Sequence, residues 1–269
     1  MKALFDQLRD SVGEQTNSDS LKTYGIAHIP RTLDSGMLLR LQNSLSGAQQ
    51  TYAEAHTRFG YVGENDGGLH HVLSLGGAFL DLLAALPAYA LIGSHFAGKF
   101  IVNSYGAVCT EPSKKYYTYN IHRDVRFFTD ELPVMLNVIV FLSDFTEENG
   151  ATYLLPKSHR IRDRPSDDYF YENAVRAIGS AGDVVLFNSN IWHAGGVNNS
   201  NASRSALTIT LTRPYMKQQF DDAGAFNPDV LEQLSEQQLQ LLGYFSRTPK
   251  TLEEWYQPAE KRMYRAGQG

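Results

Sequence analysis

Hydrophobic positions change period twice along the chain and divide it into three stretches. From Asp34, a residue suited to capping a helix, Leu38, Leu41, Leu45, Ala48 and Tyr52 recur at intervals of three and four. That is the spacing of one face of an amphipathic helix. Residues 2–12 suit a short helix, "GIAHIP" (Gly25–Pro30) suits a strand, and residues 77–97 suit two helical pieces on either side of Pro87. After Lys99 the runs shorten. "KFIVNSYGAV", "YYTYNIH", "VMLNVIVFL", "ATYLLP", "GDVVLFN" and "SALTITLTR" are rich in β-branched and aromatic residues and are separated by polar or Gly/Pro punctuation. Such runs build an antiparallel sandwich or barrel. In "NPDVLEQLSEQQLQLLGYF", Val230, Leu231, Leu234, Leu239, Leu241 and Leu242 return to helical spacing. The expected architecture is mainly β with flanking helices: a helical part over about 1–98, a β core over about 99–215 and a helical tail over about 216–269. No Pro/Ser-rich linker interrupts it, so a single domain over 1–269 is expected.

Composition narrows the class. The 269 residues can bury a sizeable core, and 42% hydrophobic with 20% charged residues is the balance of a soluble globular protein. A net charge of −5 argues against nucleic acid or an anionic membrane as partner. Cys109 is the only cysteine, which excludes an intrachain disulfide and suits a reducing compartment. The opening "MKALFDQLRDSVGEQTNSDS" is too polar for a secretion signal, and the longest apolar runs are too short for a bilayer. The "NNS" at Asn198 and "NAS" at Asn201 therefore read as a polar loop rather than glycosylation sites. A cytoplasmic protein is expected.

The candidate chemistry begins at "NIHRDVRFF" (Asn120–Phe128). On a strand, residues two apart share a face. If "YYTYNIHRD" is extended, Thr118, Asn120, His122 and Asp124 lie together, with Tyr117, Tyr119, Ile121 and Arg123 opposite. Two ligands hold a metal poorly, so a third must come from elsewhere. His193 follows the buried-looking "GDVVLFNSNIW" and precedes "AGGVNNS", whose glycines allow close approach to the backbone. Two His and one carboxylate on one side of an ion leave three positions open, the arrangement of non-haem Fe(II). Arg204, eleven residues after His193, opens a strand. A guanidinium facing inward is costly unless it meets an anion, and its planar fork suits a carboxylate. An arginine behind such a triad is what 2-oxoglutarate requires.

These segments resemble the phytanoyl-CoA dioxygenase-like (PhyH) family of Fe(II)/2-oxoglutarate-dependent oxygenases. "IHRDVRFF" is similar to its first metal motif, and "LNVIVFLSDFTEENGATYLLPKSHR" (Leu136–Arg160) to its central segment. "GDVVLFNSNIWHAGGVNNSNASRSALTITLTRPY" (Gly182–Tyr215) is similar to the segment with the second His and the co-substrate Arg. The resemblance covers roughly residues 20–256. It implies a double-stranded β-helix (jelly-roll, cupin-like) core, Fe(II) on His122, Asp124 and His193, and 2-oxoglutarate on Arg204, with O2 as second co-substrate. It also implies a polar contact shortly before the first His, for which Asn120 is the candidate and Thr118 and Asn137 are the alternatives. Some relatives carry Arg-x-Ser, but Ala206 stands at that position here, so Thr208 or Tyr105 would have to supply the hydroxyl. A carboxylate at Asp124 favours hydroxylation or a related oxidation over halogenation. The implied substrate is a small organic molecule, a natural product or other metabolite.

Phe128 is expected as a wall of the substrate pocket. Arg58–Gly77, rich in glycine and poor in periodicity, is expected as a lid or substrate loop carrying His70 and His71. An acyl-CoA substrate would call for a basic patch. Lys114-Lys115 and Arg123-Arg126 are the candidates, and the negative total charge argues against it. His159 in "PKSHR" is read as a turn residue and Cys109 as a packing residue. Two competing classes remain: a cupin-like metalloenzyme that does not use 2-oxoglutarate, and a non-catalytic metal-binding module.

Overall fold

The computed structural model describes residues 8, 13–60, 68–114, 116–125, 127–129 and 131–268. The helix expected over residues 2–12 falls outside them except for Leu8. Helix α1 (Glu14–Tyr24) ends on Gly25, whose left-handed conformation (φ 76°) lets its N–H close on the Leu21 carbonyl. The chain then turns directly into β1 (Ile26–Ile29). Glycine is required at this turn twice over, because a Cβ on residue 25 would lie 2.5 Å from His159 Nδ1. Helix α2 (Ser35–Phe59) starts at the expected cap: the Asp34 side chain accepts from the Met37 N–H at 2.9 Å. Its Leu41, Leu45 and Ala48 are buried. Helices α3 (Gly77–Ala84) and α4 (Tyr89–Phe96) flank Pro87 as the sequence suggests. Among the described residues no single helix is long and apolar enough to cross a membrane.

The remaining strands are β2 (Gly68–Leu69), β3 (Ile101–Thr110), β4 (Met135–Phe141), β5 (Tyr153–Leu154), β6 (Val175–Arg176), β7 (Val184–Asn188), β8 (His193–Ala194) and β9 (Arg204–Thr212). They form two antiparallel sheets. The larger has the order β1-β7-β4-β9-β3-β2, and the smaller has the order β6-β5-β8. One face of the larger sheet, with Val102, Val138, Leu186 and Ile209, packs on α2, α3, α4 and the tail helix α7 (Glu236–Leu241). The opposite face, with Ile139, Val185, Phe187 and Ala206, meets Leu154 and Val175 of the smaller sheet. This is the jelly-roll core, helix-braced on one side, and period-2 alternation along β4, β7 and β9 decides which side chains enter it.

Two expected elements differ. "YYTYNIH" is not a strand: Tyr117–Tyr119 form a 3-10 turn, and only His122 pairs, through one isolated bridge. Local bonds compete successfully with the ladder there. The Asn120 amide donates to the Tyr117 carbonyl at 2.9 Å, and the Tyr116 and Tyr119 rings pack edge-on at 5.5 Å. The tail periodicity is likewise split into α6 (Pro228–Glu232) and α7, because Ser235 starts α7 with a capping box to Gln238. The expected lid is partly regular. Gly68–Leu69 pairs with β3 and Val72–Leu75 form a 3-10 turn, while residues 61–67 lie outside the described residues.

Packing of α4 against the core encloses a histidine. His95 Nε2 is buried with no hydrogen-bond partner among the described residues. Burial, reinforced by nearby His159 and Arg213, pulls its pKa down to about 4. The unfolded chain binds this proton near pH ~6.5, so the stabilisation is complete above that pH and is lost as pH falls towards 4. The linkage is worth up to about 3 kcal/mol. Thermal unfolding followed from pH 7 to 4 is expected to show a smaller fall in Tm for His95→Phe than for the parent; parallel profiles would refute the assignment.

Candidate active site

His122 and His193 are directly opposite each other, and each accepts the other's backbone N–H at 2.9 Å. A reciprocally bonded antiparallel pair sends both side chains to the same face, close together. Their rings are 4.2 Å apart between centroids. Asp124, two residues beyond His122, points to the same side: Oδ1 lies 3.7 Å from His122 Nε2 and Oδ2 lies 3.6 Å from His193 Nε2. These separations exceed a hydrogen bond. They are of the order expected for ligands that are each about 2.1 Å from one ion. The three donor atoms lie within 4.8 Å of one another.

Both imidazoles are oriented from behind. His122 Nδ1 lies 2.8 Å from the Asn120 carbonyl and His193 Nδ1 lies 3.0 Å from the Ile191 carbonyl. A carbonyl only accepts, so each Nδ1 carries the proton and each Nε2 presents a lone pair to Asp124. Burial lowers the His193 pKa, and His122 adds to this against the opposing pull of Asp124, so the imidazole is held neutral. The carboxylate is fixed as well. Asn137 on β4 donates to Asp124 Oδ2 at 2.6 Å, and Thr210 on β9 donates to Asn137 Oδ1 at 3.1 Å. Asn137 is therefore spent on orienting Asp124. Asn120 is exposed, and its amide closes the preceding turn, while its carbonyl holds His122.

Arg204 opens β9 on the face that carries Ala206 and is 5% exposed. Its Nε donates to Thr110 Oγ1 at 3.2 Å, and its guanidinium lies 4.4 Å from the Phe145 ring centroid. No carboxylate pairs with it among the described residues. Burial, with Arg176 nearby, pulls its pKa down to about 10, so it stays protonated at neutral pH. Thr110 is the hydroxyl that the sequence did not reveal. It stands opposite Arg204 in the β3–β9 register, 94 positions away, a relation that only the fold creates. Tyr105 instead lies in the helix-facing core against Phe79.

The glycines after His193 admit protein rather than ligand. A Cβ on residue 195 would meet the Tyr119 ring at 2.9 Å, and one on residue 196 would meet Arg176 at 2.8 Å. Asn198 is fully buried and donates to the Thr110 and Ala202 carbonyls, which makes it a loop clamp. Phe128, expected as a pocket wall, lies on the lining of a cavity beside His122. Its ring packs against Arg123 and Arg162, because the stretch around Asp124 is irregular and does not continue the alternation of a strand. His71 stacks on Phe220 at 4.8 Å, and the His70 carbonyl accepts from the Tyr52 hydroxyl.

Comparison with known proteins places this geometry. Residues 21–206 match the family model "Phytanoyl-CoA dioxygenase (PhyH)". An uncharacterized protein of Mycobacterium tuberculosis is 39% identical over 134 residues, which covers 50% of this chain and 49% of the relative. The iron/alpha-ketoglutarate-dependent dioxygenase penM of Penicillium thymicola is 34% identical over 100 residues, covering 34% of this chain and 31% of the relative. The chain thus matches half or less of the length of these curated relatives. Among solved structures, the non-heme alpha ketoglutarate dependent carbocyclase SnoK from nogalamycin biosynthesis superposes with a TM-score of 0.61 at 18% identity. That match covers 84% of this chain and 92% of SnoK, and supports the jelly-roll fold. With the family model matched over residues 21–206, more than half of the chain, the chain belongs to the phytanoyl-CoA dioxygenase family.

Proposed function

We propose that this chain is an Fe(II)- and 2-oxoglutarate-dependent oxygenase. It oxidises a C–H bond of a small organic molecule, a natural product or other metabolite, and releases succinate and CO2. His122, Asp124 and His193 hold the iron, and Arg204 binds the far carboxylate of 2-oxoglutarate. The observation that carries this reading is the pairing of two pre-oriented sites: a His-Asp-His triad with both Nδ1 atoms committed elsewhere, and a buried guanidinium without a counter-charge among the described residues.

The donor set fits the metal. Two neutral imidazoles and one carboxylate leave open positions, as oxygen-activating Fe(II) requires, whereas structural zinc closes its shell with a fourth protein ligand. When bound, iron and 2-oxoglutarate supply the oxygen-activating chemistry. The protein supplies the geometry. The backbone carbonyls of Asn120 and Ile191 fix the two imidazoles, and Asn137 and Thr210 fix the carboxylate. Thr110 keeps the Arg204 fork in place by accepting from Nε, which leaves the terminal nitrogens for a carboxylate. The same buried cation speaks against a cupin-like enzyme without 2-oxoglutarate, since an uncompensated interior guanidinium is costly. The kinship with penM, an iron/alpha-ketoglutarate-dependent dioxygenase, supports the same metal and co-substrate here.

Substituting His122, Asp124 or His193 with Ala is expected to abolish 2-oxoglutarate-dependent O2 consumption and to weaken Fe(II) binding; retained turnover in any of the three would remove it from the site. Arg204→Met is expected to raise the 2-oxoglutarate concentration needed for half-saturation by roughly 10- to 100-fold, and Thr110→Val by roughly 2- to 10-fold. Calorimetric titration of 2-oxoglutarate into the metal-loaded protein checks both, and unchanged affinity in either would refute that residue's role. Asn137→Leu is expected to lower metal affinity roughly 10- to 100-fold while leaving the fold intact. Anaerobic metal titration with circular dichroism on the same sample tests this, and parental metal affinity would count against the Asn137 brace.

A further inference from the structure

The stretch that carries two triad members also has an outward face. Trp192 immediately precedes the third ligand, and the Arg123 guanidinium lies 4.0 Å from its ring centroid. A cavity of about 540 Å³ opens here beside His122, between Trp192 and Phe128, with Arg123, Arg162 and Arg164 on its walls. That volume lies within the usual ligand-pocket range of roughly 300–1,000 Å³.

The three arginines are not equivalent. Arg123 is structural: it donates to the Ile161 carbonyl at 3.0 Å and to the Arg162 carbonyl, and Asp163 favours its charge. Arg164 is neutralised by Asp167 at 2.8 Å and donates to the Pro165 carbonyl. Apart from its carbonyl, which accepts from Arg123, Arg162 has neither a hydrogen bond nor an ion pair among the described residues. It rests 5.1 Å from the Phe128 ring centroid. The Phe128 ring also faces Arg123 at 5.5 Å, so two guanidinium groups share one aromatic wall. Phe127 beside it is 50% exposed. Among the described residues the cavity therefore offers one uncommitted planar cation beside apolar surfaces.

We propose that this cavity anchors the substrate, and that the substrate is an organic acid with one carboxylate on a flat apolar skeleton. Arg162 takes the carboxylate through its fork, and Phe128 faces the skeleton, with Trp192 at the cavity wall beneath Arg123. Among the described residues, one free guanidinium with Asp163 on the same wall suits a monoanion better than a phosphate dianion. His122 belongs both to the cavity wall and to the triad, so a molecule held here lies beside one of the three metal-binding residues. The inference deepens the oxygenase reading and rests on it only for the fate of the bound molecule.

The experiment uses Trp192 as reporter. The chain has two tryptophans, and the Trp255→Phe variant leaves Trp192 as the sole source of indole fluorescence. Cinnamate is expected to quench that emission, and cinnamyl alcohol and phenyl phosphate are each expected to bind at least roughly tenfold more weakly. Arg162→Gln should reduce cinnamate affinity to the level of the alcohol, while Arg162→Lys should recover part of it. Equal affinity for acid and alcohol, indifference to Arg162→Gln, or no quenching by cinnamate would overturn the proposal. Tighter binding of phenyl phosphate would replace the carboxylate with a phosphoryl group and would also overturn it as stated. Absorbance of the anaerobic Fe(II)–2-oxoglutarate complex, read on the same samples, reports the triad separately. Its presence without cinnamate binding sinks only the subsite, and its absence with cinnamate binding sinks the oxygenase reading instead.

Discussion

The candidate site depends on one backbone pairing, the reciprocal hydrogen bonds between His122 and His193. Strand β8 is two residues long and is held by Leu154 on one side and His122 on the other. Such a short element has almost no ladder of its own, so its position is set by its neighbours. The larger sheet provides the rigidity: β4 and β9 pair over seven residues and bring Asn137 and Thr210 within reach of Asp124. A long, regular sheet thus orients the carboxylate, while a short, irregular one orients the imidazoles. Ligand geometry then follows from backbone register more than from side-chain packing.

The second constraint is the burial of Arg204. A guanidinium in a low-dielectric interior needs compensation, and the protein supplies only part of it. Phe145 offers its ring face, and that ring is itself stacked on Phe141 at 3.8 Å, which makes a stiff aromatic floor. Thr110 satisfies one donor. Arg176 raises the cost, since a second cation lies nearby with its own guanidinium over Tyr153. In the proposed reading the missing negative charge arrives with the co-substrate, so the energy stored in the empty interior is recovered as binding selectivity for a carboxylate.

Much of this was legible in the chain because the relevant signals are local or periodic. Runs rich in β-branched and aromatic residues marked β3, β4, β7 and β9, the Asp34 cap marked α2, and His122, Asp124, His193 and Arg204 were singled out within segments that resemble one family. What escaped was decided by competition between local and long-range bonds. "YYTY" has strand-like composition, yet Asn120 closes a turn on Tyr117 and removes it from the ladder. Phe128 was placed by strand alternation, but the stretch around Asp124 is irregular apart from the isolated bridge at His122. Thr110 could not be found from spacing at all, because its relation to Arg204 exists only in the β3–β9 register. Asn137 was named only as an alternative co-substrate contact, and that it serves Asp124 depends on the crossing of β4 with the irregular stretch there.

The short segment from Ile121 to Val125 is specified on both of its faces, and this explains how so little regular structure can hold a site. Inward, His122 and Asp124 meet His193. Outward, Ile121 and Trp192 belong to a separate apolar cluster with Leu155 and Phe170, and Arg123 seals that cluster from above. A slip of one residue would turn Arg123 into the interior beside His193 and move both acidic and basic ligands into the apolar cluster. Each face would then bury an unpaired charge, a cost of several kcal/mol per ion. The stacking of Arg123 on Trp192 and its bonds to the Ile161 and Arg162 carbonyls thus do more than shape the outer cavity. They make the wrong register expensive on the side where no metal is needed, so that the triad is assembled by the fold before any ion arrives.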